Sequence, residues 1–154
     1  MDSSPLFAYS AQKSIYHENI ELYQPTNEFV DIVQSILNKN WIIKARGFWA
    51  HCRPENVNYL EHGWKIHVSS THENAEETLT IVAKTLSDAD VAFKFCADRR
   101  MLAMSLDKAW SRFQIGKFIA IYPTSVDEFK KIIHKLDLAT SHLAGPYIIT
   151  DRAY

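Results

Sequence analysis

The sequence is short of the residues that announce the common chemistries. Its 154 residues include only two cysteines, Cys52 and Cys96, and four glycines. No CxxC pair is present, so a thiolate zinc motif is excluded. Without glycine-rich turns there is no P-loop, no GxGxxG dinucleotide fingerprint and no GxSxG nucleophile elbow. His51, His62, His67 and His72 lie near one another along the chain, but not at metal-site spacing backed by carboxylates. An excess of one charge is also lacking. The 17 basic and 18 acidic residues leave a net charge of −1, which offers no field for nucleic acid or an anionic membrane. Basic residues do not interleave with aromatics as in RNA-binding sheets. No apolar run is long enough to span a bilayer, and the start "MDSSPLFAYSAQKS" has neither the basic nor the apolar part of a secretory signal. The expectation is a cytoplasmic protein with two reduced, buried thiols and no metal or organic cofactor.

What is present is enough apolar sequence for one real core. Residues 1–25 are polar with scattered aromatics (Phe7, Tyr9, Tyr16, Tyr23) and read as an irregular N-terminal arm; 26–154 read as the domain. "TNEFVDIVQSILNKN" spaces Phe29, Ile32, Val33, Ile36 and Leu37 on one helical face, with Thr26 as its expected N-cap. "WIIKARGFWAHCRP" predicts a strand or a hairpin bent at Gly47. "GWKIHVSS" alternates Trp64, Ile66 and Val68 with Lys65, His67 and Ser69, a strand whose first set faces the helices. Ser70 and Glu73 have capping-box spacing for a helix reaching about Leu86. "DVAFKFCA" predicts the next strand, and the β-α-β order predicts a right-handed parallel crossover between neighbours. Asp98 is placed to cap a short helix, "GKFIAIYP" predicts a strand, Ser125 and Glu128 open an amphipathic helix, and "GPYIIT" predicts a late strand. The fold class is α+β: a single domain with a mixed sheet packed by about three amphipathic helices. Its abrupt end after a strand reads as a piece of a longer chain.

Three polar positions ask for a chemical reason. Lys65 and His67 point to one side of their strand, which is either a wet face or the floor of a cleft. Lys94 sits mid-strand between Phe93 and Phe95. An ammonium desolvated there costs several kcal/mol, so burial lowers its pKa toward a neutral amine, a good base. Arg53, Arg112 and Arg152, with Lys117 and Tyr122, supply guanidinium and hydroxyl groups suited to phosphate oxygens. For any one arginine, an ordinary surface role is the alternative.

Together "GWKIHVS", "AFKF", an Arg ahead of "GKF", "IYP" and "GPYIITDR" resemble the N-terminal lyase domain of class III lanthipeptide synthetases. The resemblance covers roughly residues 41–152. The lysine strand, the later lysine and the ten-residue spacing of Arg112 and Tyr122 are also similar to bacterial phosphothreonine lyases. The resemblance implies elimination of phosphate from phosphoserine or phosphothreonine in a precursor peptide, in a polypeptide that also carries kinase and cyclase domains. It implies Lys94 as general base and His67 as general acid. It further implies phosphate contacts from Lys65, Arg112, Tyr122 and Arg152, with Arg53 as a further contact. The family's "SDRRW" reads "TDRAY" here, so its second arginine is absent. The alternative reading is a phosphopeptide- or leader-peptide-binding module without catalysis.

Overall fold

The computed structural model describes residues 23–57, 62–108 and 110–153. All but the last residues of the expected arm, 1–22, lie outside the described residues. The stretch 41–54 has aromatic and β-branched residues on both sides of one glycine, and it folds as a hairpin of β1 (Trp41–Arg46) and β2 (Trp49–Pro54). Arg46 pairs with Trp49, so the turn has two residues, and Gly47 takes the positive φ of 58° that such a turn needs. Three more strands complete the sheet: β3 (Ile66–Val68), β4 (Phe93–Cys96) and β5 (Ile119–Ile121). Their order is β1-β2-β4-β5-β3, and every neighbouring pair is antiparallel. The expected mixed sheet is therefore antiparallel throughout. The strands of the β-α-β unit are not neighbours either. β3 and β4 run in the same direction, but β5 lies between them and completes the ladder of each.

One face of the sheet forms the core. Ile66, Phe93, Phe95, Ile119 and Ile121 join a single apolar cluster with the buried faces of four helices. These are α1 (Glu28–Ile36), α2 (Ala75–Ala89), α3 (Arg99–Ser105) and α4 (Val126–Thr140). The buried residues of α2 include Ala75, Leu79, Val82 and Leu86, as their spacing predicts. α2 touches both α1 and α4. None of the described helices is long and apolar enough to cross a membrane.

The caps divide into those legible in the sequence and those that tertiary contacts override. Asp98 caps α3, accepting the Met101 amide at 2.8 Å. Its other oxygen accepts the Tyr23 hydroxyl at 2.8 Å and the Thr26 amide at 2.9 Å, which ties the entry of the chain to the start of α3. Ser125 caps α4 by accepting the Glu128 amide at 3.1 Å, while the Glu128 carboxylate accepts the Thr124 hydroxyl at 3.0 Å. Thr26 does not cap α1: Asn27 holds that position, without a side-chain bond. Ser70 does not open α2. It is fully buried, bonded to the Thr71 carbonyl and the Thr78 hydroxyl, each at 3.0 Å, and the helix starts five residues later at Ala75.

Two further expectations are corrected. Trp64 lies ahead of β3 and is 59% exposed, stacking on Phe129 of α4 at 5.3 Å instead of entering the core. "GPYIIT" is not a strand. Pro146 has no amide to pair, and Gly145 passes so close to β3 that a Cβ there would lie 2.6 Å from the Ser69 hydroxyl. The segment is a strap laid against the sheet. Replacing Asp98 with alanine removes a cap and two charge-assisted bonds, with an expected loss of about 3 kcal/mol. A lower urea midpoint at unchanged slope is the check.

Candidate active site

Residues directly opposite in an antiparallel ladder share a face. The register therefore assembles one row across the whole sheet: Lys44, His51, Lys94, Ala120 and His67, from β1 to β3. The row lies on the side away from the core. Lys94 and His67 are two strand spacings apart, about 10 Å between Cα atoms, and Ala120 is the small residue between them. Ala120 is 2% exposed, so its methyl group is covered, with Lys94 on one flank and His67 on the other. The Lys94 ammonium rests over the Trp49 ring, 4.4 Å from its centroid. Beside this row, the Lys65 ammonium stands 5.8 Å from the centre of the Tyr122 ring, and the Tyr122 amide bonds to the Ala92 carbonyl at 2.9 Å.

His67 is held from behind. Its Nδ1 is hydrogen-bonded to Asp151, whose second oxygen meets the Lys117 ammonium at 3.2 Å. The His67 side chain is 14% exposed. With Nδ1 committed to Asp151, Nε2 is the ring atom left for chemistry. Lys117 was singled out from the sequence as a cation for phosphate, and here it holds Asp151; Asp151 itself was not singled out. Asp151 stands within the "GPYIITDR" motif, one place before Arg152, and only the path of the strap brings it to β3.

The charge pattern suits a base and an acid. Burial lowers the Lys94 pKa, with the neighbouring charges of Lys65 and Lys117 acting in the same direction. His67 is also lowered, mainly by burial and further by Lys117 and Lys65, while the bond and charge of Asp151 raise it in opposition. Burial alone would raise Asp151, but its bonds to His67, Thr150 and Lys117 hold it below the usual carboxylate range. Burial raises the Tyr122 hydroxyl. Both cysteines are free and buried; burial pushes Cys52 up to about 12 and raises Cys96 as well, so neither thiol is a ready nucleophile.

The arginines take different places. One terminal nitrogen of Arg53 donates to the carbonyls of Pro54, Glu55 and Val57 at 3.1–3.4 Å, tying down the turn after β2. Arg112 is exposed on the turn leading into β5, and Arg152 is exposed next to Asp151. The structure thus gathers Lys65, His67, Lys94 and Tyr122 around Ala120, commits part of Arg53 to the backbone, and leaves Arg112 and Arg152 at the surface. A separate cleft of about 510 Å³ between α1 and β1, lined by Trp41, Ile43, Ala45 and Ala50, holds none of these residues. Among the described residues there is no group of three or more His, Cys, Asp or Glu arranged to hold a metal.

Residues 30–154 match the family described as the RamC N-terminal domain. The chain belongs to that family. A probable SapB synthase from Streptomyces coelicolor is 34% identical over 113 residues, covering 73% of this chain and 12% of the synthase. The chain thus spans about an eighth of the length of that RamC-family relative. The type III effector and phosphothreonine lyase OspF of Shigella flexneri has the same fold. Its TM-score is 0.60 at 19% identity, covering 89% of this chain and 75% of OspF. A second phosphothreonine lyase structure aligns with a TM-score of 0.55 at 14% identity, covering 84% of this chain and 68% of that one. Family and fold agree with the resemblance to the lyase domain of class III lanthipeptide synthetases.

Two substitutions test the electrostatics of this RamC-family site by NMR titration. Lys65→Met removes a charge that disfavours the Lys94 ammonium, so the Lys94 pKa rises. Asp151→Asn removes the partner that raises His67, so the His67 pKa falls.

Proposed function

We propose that this domain eliminates phosphate from phosphoserine and phosphothreonine of a precursor peptide. The products are dehydroalanine and dehydrobutyrine, made during lanthipeptide biosynthesis. The observation that carries the reading is the row Lys94–Ala120–His67, with Asp151 on the far nitrogen of the imidazole. The phosphorylated side chain lies above Ala120 between Lys94 and His67, whose side chains part to admit it. Neutral Lys94 removes the Cα proton, the electron pair forms the Cα=Cβ bond, and the Cβ–O bond breaks. His67 Nε2 gives its proton to the bridging oxygen, so phosphate leaves as hydrogen phosphate. A proton moving from Lys94 to His67 through water resets the site.

The free site keeps both groups biased toward neutral, which suits the base. A bound phosphate dianion raises both pKa values, and for His67 this restores the acid. Lys65 offsets part of the dianion's effect on Lys94, and Tyr122 orients the phosphate. Arg112 and Arg152, exposed at the surface, are assigned as further phosphate contacts by the family resemblance alone. The chemistry needs a base, an acid and cations, and asks for neither a metal nor an organic cofactor. Phosphorylation before this step and thiol addition after it belong to kinase and cyclase domains of the same polypeptide.

The test is mass spectrometry of a phosphoserine peptide incubated with the domain. Loss of the elements of phosphoric acid is expected, with the rate unchanged by chelator. Lys94→Ala and His67→Ala are each expected to lower turnover about 10²–10⁴-fold while phosphopeptide still binds. Elimination by Lys94→Ala at the native rate overturns the assignment, and binding without elimination by the native domain favours the non-catalytic module. Turnover against pH is expected to be bell-shaped, limited on the acid side by protonation of Lys94 and on the alkaline side by loss of the His67 proton.

A further inference from the structure

The catalytic row does not stop at Lys94. Beyond it, on the same face, come His51 of β2 and Lys44 of β1. Arg46 lies two residues from Lys44 and therefore on that face as well, opposite Trp49. Lys44 and Arg46 are exposed, and His51 is half-buried. No aspartate or glutamate occurs between Asp31 and Glu55. Neither Lys44 nor Arg46 is in an ion pair with any described residue, whereas Lys117 and Arg99 elsewhere are paired. Burial, and after it the charges of Lys94 and Arg46, lower the His51 pKa, so the lane's fixed positive charge is that of Lys44 and Arg46. Like charges set side by side across strands are destabilising. In a chain with net charge −1, this leaves a basic lane, without an ion-pair partner among the described residues, running from the reaction centre to β1 at the edge of the sheet.

We propose that this lane, formed by His51, Lys44 and Arg46, binds an acidic side chain of the peptide substrate. The inference rests on the lyase reading, because it places the reacting residue over Ala120. At the opposite end the strap and Asp151 lie against the face beside His67, so among the described residues the lane is the open way out for the chain. Ala120 and Lys44 are three strand spacings apart, about 14 Å. An extended peptide covers that in about four residues. The acid therefore stands about four residues from the phosphorylated one. Lysine on an edge strand also discourages sheet-to-sheet association, but that role alone predicts no discrimination among peptides.

The test compares phosphoserine peptides carrying Glu, or Gln in its place, three to five residues to either side. Exposed charge pairs are worth up to about 1 kcal/mol each. The native domain is therefore expected to favour the Glu peptide on one side about 5–10-fold in kcat/KM at low salt, with the preference fading as salt rises. The double substitution Lys44→Glu with Arg46→Glu, at exposed positions, brings that ratio to one or below. Equal use of both peptides by the native domain, or an unchanged ratio in the double variant, overturns the lane. If neither peptide loses phosphate, the lyase reading fails. Fluorescence anisotropy of the same two peptides then decides the lane alone: tighter binding of the Glu peptide supports it, and equal Kd values overturn it.

Discussion

Strand register is the constraint on which this molecule depends. Side chains alternate with a period of two, so a slip of one residue would send every polar group of the row into the core and bring the core residues out. The register is pinned from the other face. Phe93 faces Cys52 and Ile121, and Phe95 faces Ala50 and Ile119, and all of these are fully buried. The same packing that hides the phenylalanines aims Lys94 and His67 at one space. Core and candidate site are two sides of one sheet, and neither can shift without the other.

A sheet built in this way exposes its functional groups to partial desolvation, and partial desolvation sets their protonation. Lys94 and His67 are each disfavoured as cations by burial and by neighbouring positive charge. The two groups differ in their anchoring. Lys94 leans over Trp49, a contact that an ammonium can leave at modest cost. His67 is fixed through Asp151 to Lys117, which sets the tautomer and aims the other nitrogen. One group rests on an aromatic face and the other is tied to a carboxylate, on either side of one small residue.

The strap closes the design at the β3 edge. Gly145 presses it onto Ser69, Ile148 packs beside Gly116, and Asp151 meets His67. A short edge strand of three residues is thereby covered, and an acidic residue is delivered to the site. Similarity in fold to OspF extends over most of both chains.

Much of this was legible in the sequence, for physical reasons that can be named. The alternation in "DVAFKFCA" placed Lys94 opposite the buried phenylalanines, the spacing of Leu79, Val82 and Leu86 gave α2 its buried face, and Asp98 and Ser125 cap as their local patterns require. Local patterns were misleading where a distant residue competed: Ser70 found Thr78, Trp64 found Phe129, and the segment after Gly145 met Ser69 before it could pair as a strand. By itself the sequence determined which side chains share a strand face, because alternation is a property of the extended backbone. Only the tertiary structure decided that β5 separates the strands of Lys94 and His67, that Ala120 lies between them, and that Asp151 stands behind His67. Those facts depend on which strands pair and at what register, and pairing is settled by burial over the whole sheet.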